Sequence, residues 1–230
     1  AIKGLPEDGF LIKTIVTTNM ADAIADDYHV GLIECLTGFK YIGEQMLLFE
    51  KNHTYKFIFG MEESFGCLVG DYTRDKDACA AVVILCEIAA FYKLQGKTIC
   101  DAMEEVYQKY GYYFEGAYGV TLKGVDGAAK IKAMMNSFRE HPLTAFAGIK
   151  VTGVRDYESG IRKPLDGTEE PMGLPKSNVI YYELENNAWF AVRPSGNEPK
   201  IKFYFGVNES GLEQAMEKID EMKACVQGLI

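Results

Sequence analysis

Between Gly9 and Gly60 two kinds of apolar patterning alternate, and that alternation limits the architectures open to the chain. "FLIKTIVTT" is a β-branched run of strand character, after which Asn19 is placed to cap a helix starting at Met20, with the carboxylate of Asp22 in its first turn. "VGLIECLTG" is a second short strand, "FKYIGEQMLLFEKN" a helix, and "YKFIFG" a third strand that stops at the acidic "MEESFG". Strand, helix, strand, helix predicts a layered α/β domain with a mainly parallel sheet, spanning residues 1–112. Two helices complete it. One runs from Asp77 to Leu94, the other from Thr98 to Tyr110 with Thr98 and Asp101 as a capping box. The first contains the longest apolar run, Ala78 to Tyr92, which is interrupted by Glu87 and is shorter than the ~20 residues that cross a bilayer. It reads as a buried helix, with Cys79 and Cys86 facing a core as small hydrophobes.

From about Phe114 the pattern changes. "EGAYGVTLKG" reads as a strand, and the helix Ala128 to Glu140 shows Ile131, Met134, Met135 and Phe138 on one stripe. "IKVTGVRDY", "VIYYELENNAWFAVRP" and "IKFYFGV" supply further strands, with a hairpin at Asn186-Asn187. A last helix aligns Leu212, Ala215, Met216, Ile219, Met222 and Val226. Strands set apart from two helices predict an α+β domain over residues 113–230, both helices on one face of an antiparallel sheet.

Charge and cysteine usage exclude several functions. A net charge of −9 argues against general affinity for nucleic acid, so any anion site is local. The six cysteines include no C-x-x-C pair and read as reduced thiols of a cytoplasmic protein. His29, His53 and His141 have no metal spacing and read as surface residues; no metal site is expected from this chain's own side chains. No G-x-S-x-G, H-E-x-x-H, G-x-G-x-x-G or P-loop motif occurs.

Four short segments carry groups suited to binding. In "VRPSGNEPKIKF", Arg193 offers a planar fork of donors, Ser195 a hydroxyl and Asn197 an amide, while Gly196 lets backbone N–H groups approach an anion. Pro194 and Pro199 would stiffen the turn so that these donors converge, between two strands at a sheet edge. The same residues also make an ordinary surface turn. In "FGMEESFG", Glu62 and Glu63 point different ways, so one of them lines a given pocket at the strand end, with Ser64 beside it; acidic residues solvating a helix start are the plainer account. "YTRDKDA" supplies Arg74 and Lys76 ahead of a helix that Asp75 or Asp77 can cap, and "LTGFK" supplies Thr37 and Lys40. Each lysine read singly is a solvated surface charge.

The order of these segments is more specific than any one of them. T-G-F-K, then G-M-E-E-S-F-G, then R-D-K-D-A, then R-P-S-G-N-E-P-K-I-K-F resembles the α-D-phosphohexomutase superfamily, in particular its phosphoglucomutase branch, over essentially the whole chain. The resemblance implies an enzyme that moves phosphate between the 1- and 6-positions of glucose or mannose, through a phosphoserine and a glucose 1,6-bisphosphate intermediate, with Mg²⁺. It implies that Glu62 and Ser64 contact sugar hydroxyls, that Thr37, Lys40 and Arg74 line the substrate pocket, and that Lys76 assists proton transfer. Arg193, Ser195, Gly196 and Asn197 match the grip on the nonreacting phosphate, although the family commonly has threonine at the position of Asn197. Neither a serine loop of the T-x-S-H-N-P kind nor a D-G-D-x-D-R metal loop occurs in these residues. The expectation is therefore the family's third and fourth domains, with phosphorylated sugar and the remaining domains of the same chain as partners, no nucleic acid and no membrane, and no turnover by this piece alone. A phosphopentomutase and a noncatalytic sugar-phosphate binding module are the alternatives.

Overall fold

A computed structural model describes residues 4–64, 66–122, 125–196 and 198–229. The chain divides into two units, Ala1–Gly111 and Tyr112–Ile230. The first contains strands β1 (Gly9–Thr14), β2 (Gly31–Cys35), β3 (Lys56–Glu62) and β4 (Gly66–Val69), with helices α1 (Met20–Asp27), α2 (Phe39–Asn52), α3 (Ala78–Leu94) and α4 (Ile99–Tyr110). Its sheet has the order β2-β1-β3-β4; β1 runs parallel to both neighbours and β4 pairs antiparallel with β3. The mainly parallel α/β arrangement is the one the strand–helix alternation predicts, while β4 hides in the loop-like stretch after Glu62.

Helix α2 forms where "FKYIGEQMLLFEKN" places Phe39, Ile42, Met46 and Phe49 on one stripe, and this stripe buries against Ile12, Cys35 and Leu68. Gly60 lets it approach: a Cβ there would meet Ile42 Cγ2 at 2.8 Å. The opposite face carries α1, with Leu11 and Ile58 facing Ile24 and Ala25 across a small recess. On that same face lies Lys13, fully buried, its ammonium bonded to Asp22, to Asn19 Oδ1 at 2.8 Å and paired with Glu34 at 3.4 Å. Asn19 is thus the residue before α1 but does not cap it, because its side chain is turned to Lys13 instead. At α4 the capping box is present: the Asp101 N–H donates to Thr98 Oγ1 at 3.1 Å and the Thr98 N–H to Asp101 Oδ2 at 2.7 Å.

Helix α3 departs from expectation. It has the predicted bounds, capped by Asp77 Oδ1 accepting from the N–H groups of Cys79 and Ala80, but none of its residues is buried. Cys79 and Cys86 are exposed rather than set in a core. Its composition marks it as apolar but does not say what covers it.

The second unit contains β5 (Tyr112–Thr121), α5 (Val125–Glu140), β6 (Ala145–Phe146), β7 (Ile149–Asp156), β8 (Ile161–Pro164), β9 (Glu170–Pro171), β10 (Ile180–Leu184), β11 (Trp189–Pro194), β12 (Lys200–Glu209) and α6 (Leu212–Gly228). The antiparallel sheet has the order β5-β12-β11-β10-β7-β8-β9, with β6 on β7. Ile131, Met135 and Phe138 of α5 and Ala215, Met222 and Val226 of α6 share one core with Tyr182, Phe190, Val192, Phe203 and Phe205, which puts both helices on the same sheet face, as predicted. The stripe of α6 is narrower than its sequence suggests, since Leu212 and Met216 stand exposed. The β10–β11 hairpin turns through Asn186 and Asn187, both at positive φ, a conformation asparagine tolerates better than most residues.

The other face of this sheet mixes buried aromatic residues with paired charges. Arg155 sits 5.0 Å over the ring of Tyr181, which stacks on Trp189 at 5.4 Å, while Arg155 and Arg162 both bond the carboxylate of Glu183. Burial alone would raise the Glu183 carboxyl; Arg162 and Arg155 outweigh it and hold it below its ordinary value of 4.5. A carboxyl lowered in the folded state stabilises fully above the unfolded value and loses that contribution as pH falls through the folded one. The second unit is therefore expected to weaken below about pH 4.5, and Glu183→Gln to flatten that dependence in acid titrations followed by tyrosine and tryptophan near-UV signals. A glutamine variant that loses stability as steeply as the parent would remove Glu183 from this account.

Candidate functional site

Strand β3 ends at Glu62, at the carboxyl end of the parallel strands, where open α/β sheets gather their ligands. The turn from β3 to β4 then presents Ser64. Lys76, fourteen residues beyond Glu62, reaches back to both: its ammonium bonds Glu62 Oε1 and donates to the Ser64 carbonyl at 3.0 Å. The Glu62 side chain is only 6% accessible and that of Lys76 38%, so the pair forms a half-open floor.

Two local features put Lys76 there. The Asp77 N–H donates to Cys67 O at 3.0 Å, tying the start of α3 to β4. Gly66 leaves room for the lysine stem, since a Cβ would lie 2.1 Å from Lys76 Cδ and 3.0 Å from its Cβ. Glu63 points elsewhere: its Oε2 accepts from Thr14 Oγ1 at 3.0 Å, and Thr14 in turn lies 2.8 Å from Thr17 Oγ1. The end of β1 is in this way pinned to the turn. The bond between Glu63 and Thr14 is invisible to motif reading, because it joins positions forty-nine apart.

Thr37, Lys40 and Arg74 occupy different surroundings. The Thr37 hydroxyl oxygen is shielded from solvent and hydrogen-bonded to nothing among the described residues, a polar atom left available at the end of β2. Lys40 and Arg74 line one shallow recess of about 590 Å³ with Tyr41, Gly43, Glu44 and Leu47. Arg74 is held by Glu50 at 2.7 Å and by the Asp71 carbonyl at 2.8 Å, and Lys40 stands 4.7 Å over the Tyr41 ring. The structure brings Glu62, Ser64 and Lys76 together, and Lys40 with Arg74, as two groups.

In the second unit the turn Pro194–Pro199 joins β11 to β12, both interior strands, so it lies at one end of the sheet rather than at an edge strand. The Ser195 N–H is used within the turn, donating to Lys200 O at 2.7 Å. Ser195 lines a pocket of about 360 Å³ against α5, whose other polar walls include Lys132, Asn136 and Arg139. Arg139 is engaged by Asp156 at 3.2 Å, Glu158 at 2.8 Å and Asn178 at 2.7 Å. Gly196 is exposed, and Asn197 lies outside the described residues. Arg193 pairs across the ladder with Lys202, next to the core pair Val192 and Phe203. Strand alternation therefore sends it out of the face opposite α5. Ser195 lies beyond the end of β11, where the strand alternation stops, and lines the α5 side, so Arg193 and Ser195 face different sides in this conformation. A larger, mainly apolar cavity of about 610 Å³, walled by Phe138, Leu143, Val151, Val154 and Ile180, contains none of the sequence candidates.

Comparison with known proteins gives a consistent set of relatives. Residues 1–110 match the family model for the phosphoglucomutase/phosphomannomutase alpha/beta/alpha domain III. The phosphoglucomutase of Staphylococcus haemolyticus is 36% identical over 216 residues, covering 94% of this chain and 39% of its own length. That of Staphylococcus aureus is 36% identical over 213 residues, covering 92% of this chain and 38% of its own. The chain thus spans about two fifths of the length of the curated relatives it matches. Among solved structures, the open form of parafusin, a Paramecium phosphoglucomutase, superposes with a TM-score of 0.63 at 19% identity over 94% of this chain and 36% of that one. A putative phosphomannomutase from Thermus thermophilus gives 0.61 at 17% identity over 97% and 36%. At such identities the likeness is one of fold.

Proposed function

We propose, for a chain that belongs to the phosphoglucomutase/phosphomannomutase superfamily, that it supplies the sugar- and phosphate-holding part of a cytoplasmic enzyme interconverting hexose 1- and 6-phosphates. The observation that carries this is the joining of Glu62, Ser64 and Lys76 at the end of β3. Glu62 Oε1 is taken by Lys76, which leaves Oε2 to accept from neighbouring ring hydroxyls; Ser64 adds a hydroxyl, and the Lys76 ammonium serves as a donor toward the ester. Thr37, Lys40 and Arg74 belong to the surrounding wall.

In the second unit Ser195, Gly196, Asn197 and Arg193 are proposed to hold the nonreacting phosphate. Arg193 has no ion-pair partner among the described residues, so its guanidinium is not tied down against swinging over the turn. Binding energy gained at hydroxyls and the remote phosphate serves the transfer by orienting the reacting ester. Among the described residues no three His, Cys, Asp or Glu side chains come together, so the Mg²⁺ of the resemblance has no fit here and no step is assigned through it.

Two measurements test the reading. The complete gene product is expected to convert glucose 1-phosphate to glucose 6-phosphate with Mg²⁺ and glucose 1,6-bisphosphate present, and the 230-residue chain to show no turnover. Amide shifts of Ser195 and Gly196 on adding inorganic phosphate are expected in the chain alone. A complete product that binds glucose 1-phosphate without converting it would favour a noncatalytic module, preference for ribose 1-phosphate a phosphopentomutase, and unmoved Ser195 and Gly196 amides would remove the phosphate role.

A further inference from the structure

Helix α3 carries only Glu87 and Lys93 as charged residues, is otherwise mostly apolar, and no residue of it is buried. Val82, Val83, Leu85, Ile88, Phe91 and Leu94 are 61%, 57%, 53%, 40%, 55% and 90% exposed. At 100° per residue these positions point in every direction around the axis. A helix of that kind is one that ends up walled in, since a surface helix keeps a polar face. Within its own unit α3 packs chiefly on β4 and the neighbouring α4, and the apolar surface continues onto α4 through Ile99 and Met103.

Three kinds of cover differ in what they would require. A bilayer asks for about 20 apolar residues in line; α3 has 17, and the chain then turns by 89° into α4, which carries Asp101, Glu104, Glu105 and Lys109. A second copy related by a two-fold axis lays one stripe against its own image and leaves the far side of the helix in water. Exposed apolar residues on every side need a cover that wraps. The curated relatives carry about three fifths of their length beyond the part this chain matches.

We propose that α3 is the docking element on which the remainder of a longer polypeptide closes, wrapping Val82, Val83, Phe91 and Leu94. Lys76 directly precedes Asp77, the residue capping α3, so the docked polypeptide comes to lie beside the Glu62–Lys76 pair. This deepens the mutase reading and rests on it for the existence of that remainder.

The helix carries its own reporters. Cys79 and Cys86 on α3 are exposed thiols, Cys225 on α6 is an exposed control and Cys35 a buried one. Iodoacetamide labelling of each cysteine, timed by peptide mass spectrometry, is to be compared between the 230-residue chain and the complete gene product. Cys79 and Cys86 are expected to label at least tenfold more slowly in the complete product, with Cys225 unchanged. Equal rates in the two proteins overturn the proposal. So does protection in the 230-residue chain that grows with its own concentration, which makes a second copy the cover, or protection by phosphatidylglycerol vesicles, which makes it a bilayer. A native reading frame that encodes no further polypeptide overturns it as well. Protected thiols in a complete product without mutase turnover would sink the enzymatic reading and leave the docking intact.

Discussion

Glu62→Gln in the complete enzyme is expected to lower kcat/KM for glucose 1-phosphate by about a hundredfold, with little change in stability. The carboxylate is an acceptor on both oxygens, one held by Lys76 and the other, in the proposed role, accepting from the sugar. Glutamine keeps one acceptor and turns the other atom into a donor. If its carbonyl stays with Lys76, the NH₂ faces the ring hydroxyls and the accepting bond is lost; if it flips, the NH₂ faces the ammonium. Hydrogen bonds to charged groups contribute about 1.5–3 kcal/mol, and each 1.36 kcal/mol is roughly tenfold in rate. The stability cost is smaller because Lys76, 38% accessible, rehydrates when its partner is neutralised. Wild-type kcat/KM in the glutamine variant would remove Glu62 from the site. Lys76→Met separates the roles of the pair: loss of a positioning cation raises KM, whereas loss of a proton carrier also alters the alkaline limb of the pH–rate profile.

Glu62, Ser64 and Lys76 of the proposed site sit in two short segments of distinctive order, but the bond joining Glu62 to Lys76 was not legible there. Nothing local in "YTRDKDA" says that Lys76 turns toward Glu62; Gly66 and the Asp77–Cys67 bond decide it, and both act through β4, a strand unrecognised in the sequence. Helices α2 and α4 could be read almost to the residue, since an apolar stripe and a capping box are local signals. Lys13 could not. Nothing local in "FLIKTIVTT" marks Lys13 as buried, because its partners Asn19, Asp22 and Glu34 come from the following turn, α1 and β2.

Helix α3 marks the limit of composition as a guide. Apolar character says that a segment needs cover, and says nothing of which element provides it. Arg193 marks another limit: the pleat of β11, set by the core pairing of Val192 with Phe203, decides which face the guanidinium leaves from.

Phe190→Ala is expected to remove most of the stability of the second unit. The ring has no exposure and belongs to the second residue of β11, stacked on Phe146 at 4.0 Å and Phe203 at 6.1 Å, with Phe138 of α5 at 6.2 Å. Truncating a buried phenylalanine costs about 3–5 kcal/mol through lost transfer energy and the cavity left behind, and each aromatic pair adds about 0.5–1.5 kcal/mol. A domain holds about 5–15 kcal/mol in all. The thermal transition reported by Trp189, the chain's one tryptophan and a residue of β11, should fall by at least about 15 °C. The core of the first unit, built on Ile12, Phe39 and Leu68, shares no residue with this cluster, and far-UV helix signal from that unit should persist past the lowered transition. Phe190→Leu, which refills most of the volume, should recover more than half of the loss. Because β11 runs directly into Pro194 and Ser195, the alanine variant should also lose the phosphate-dependent amide shifts at Ser195 wherever the second unit has melted, and the leucine variant should keep them. A shift of less than about 5 °C for the alanine variant would mean that the aromatic stack around Phe190 does not hold the sheet to α5.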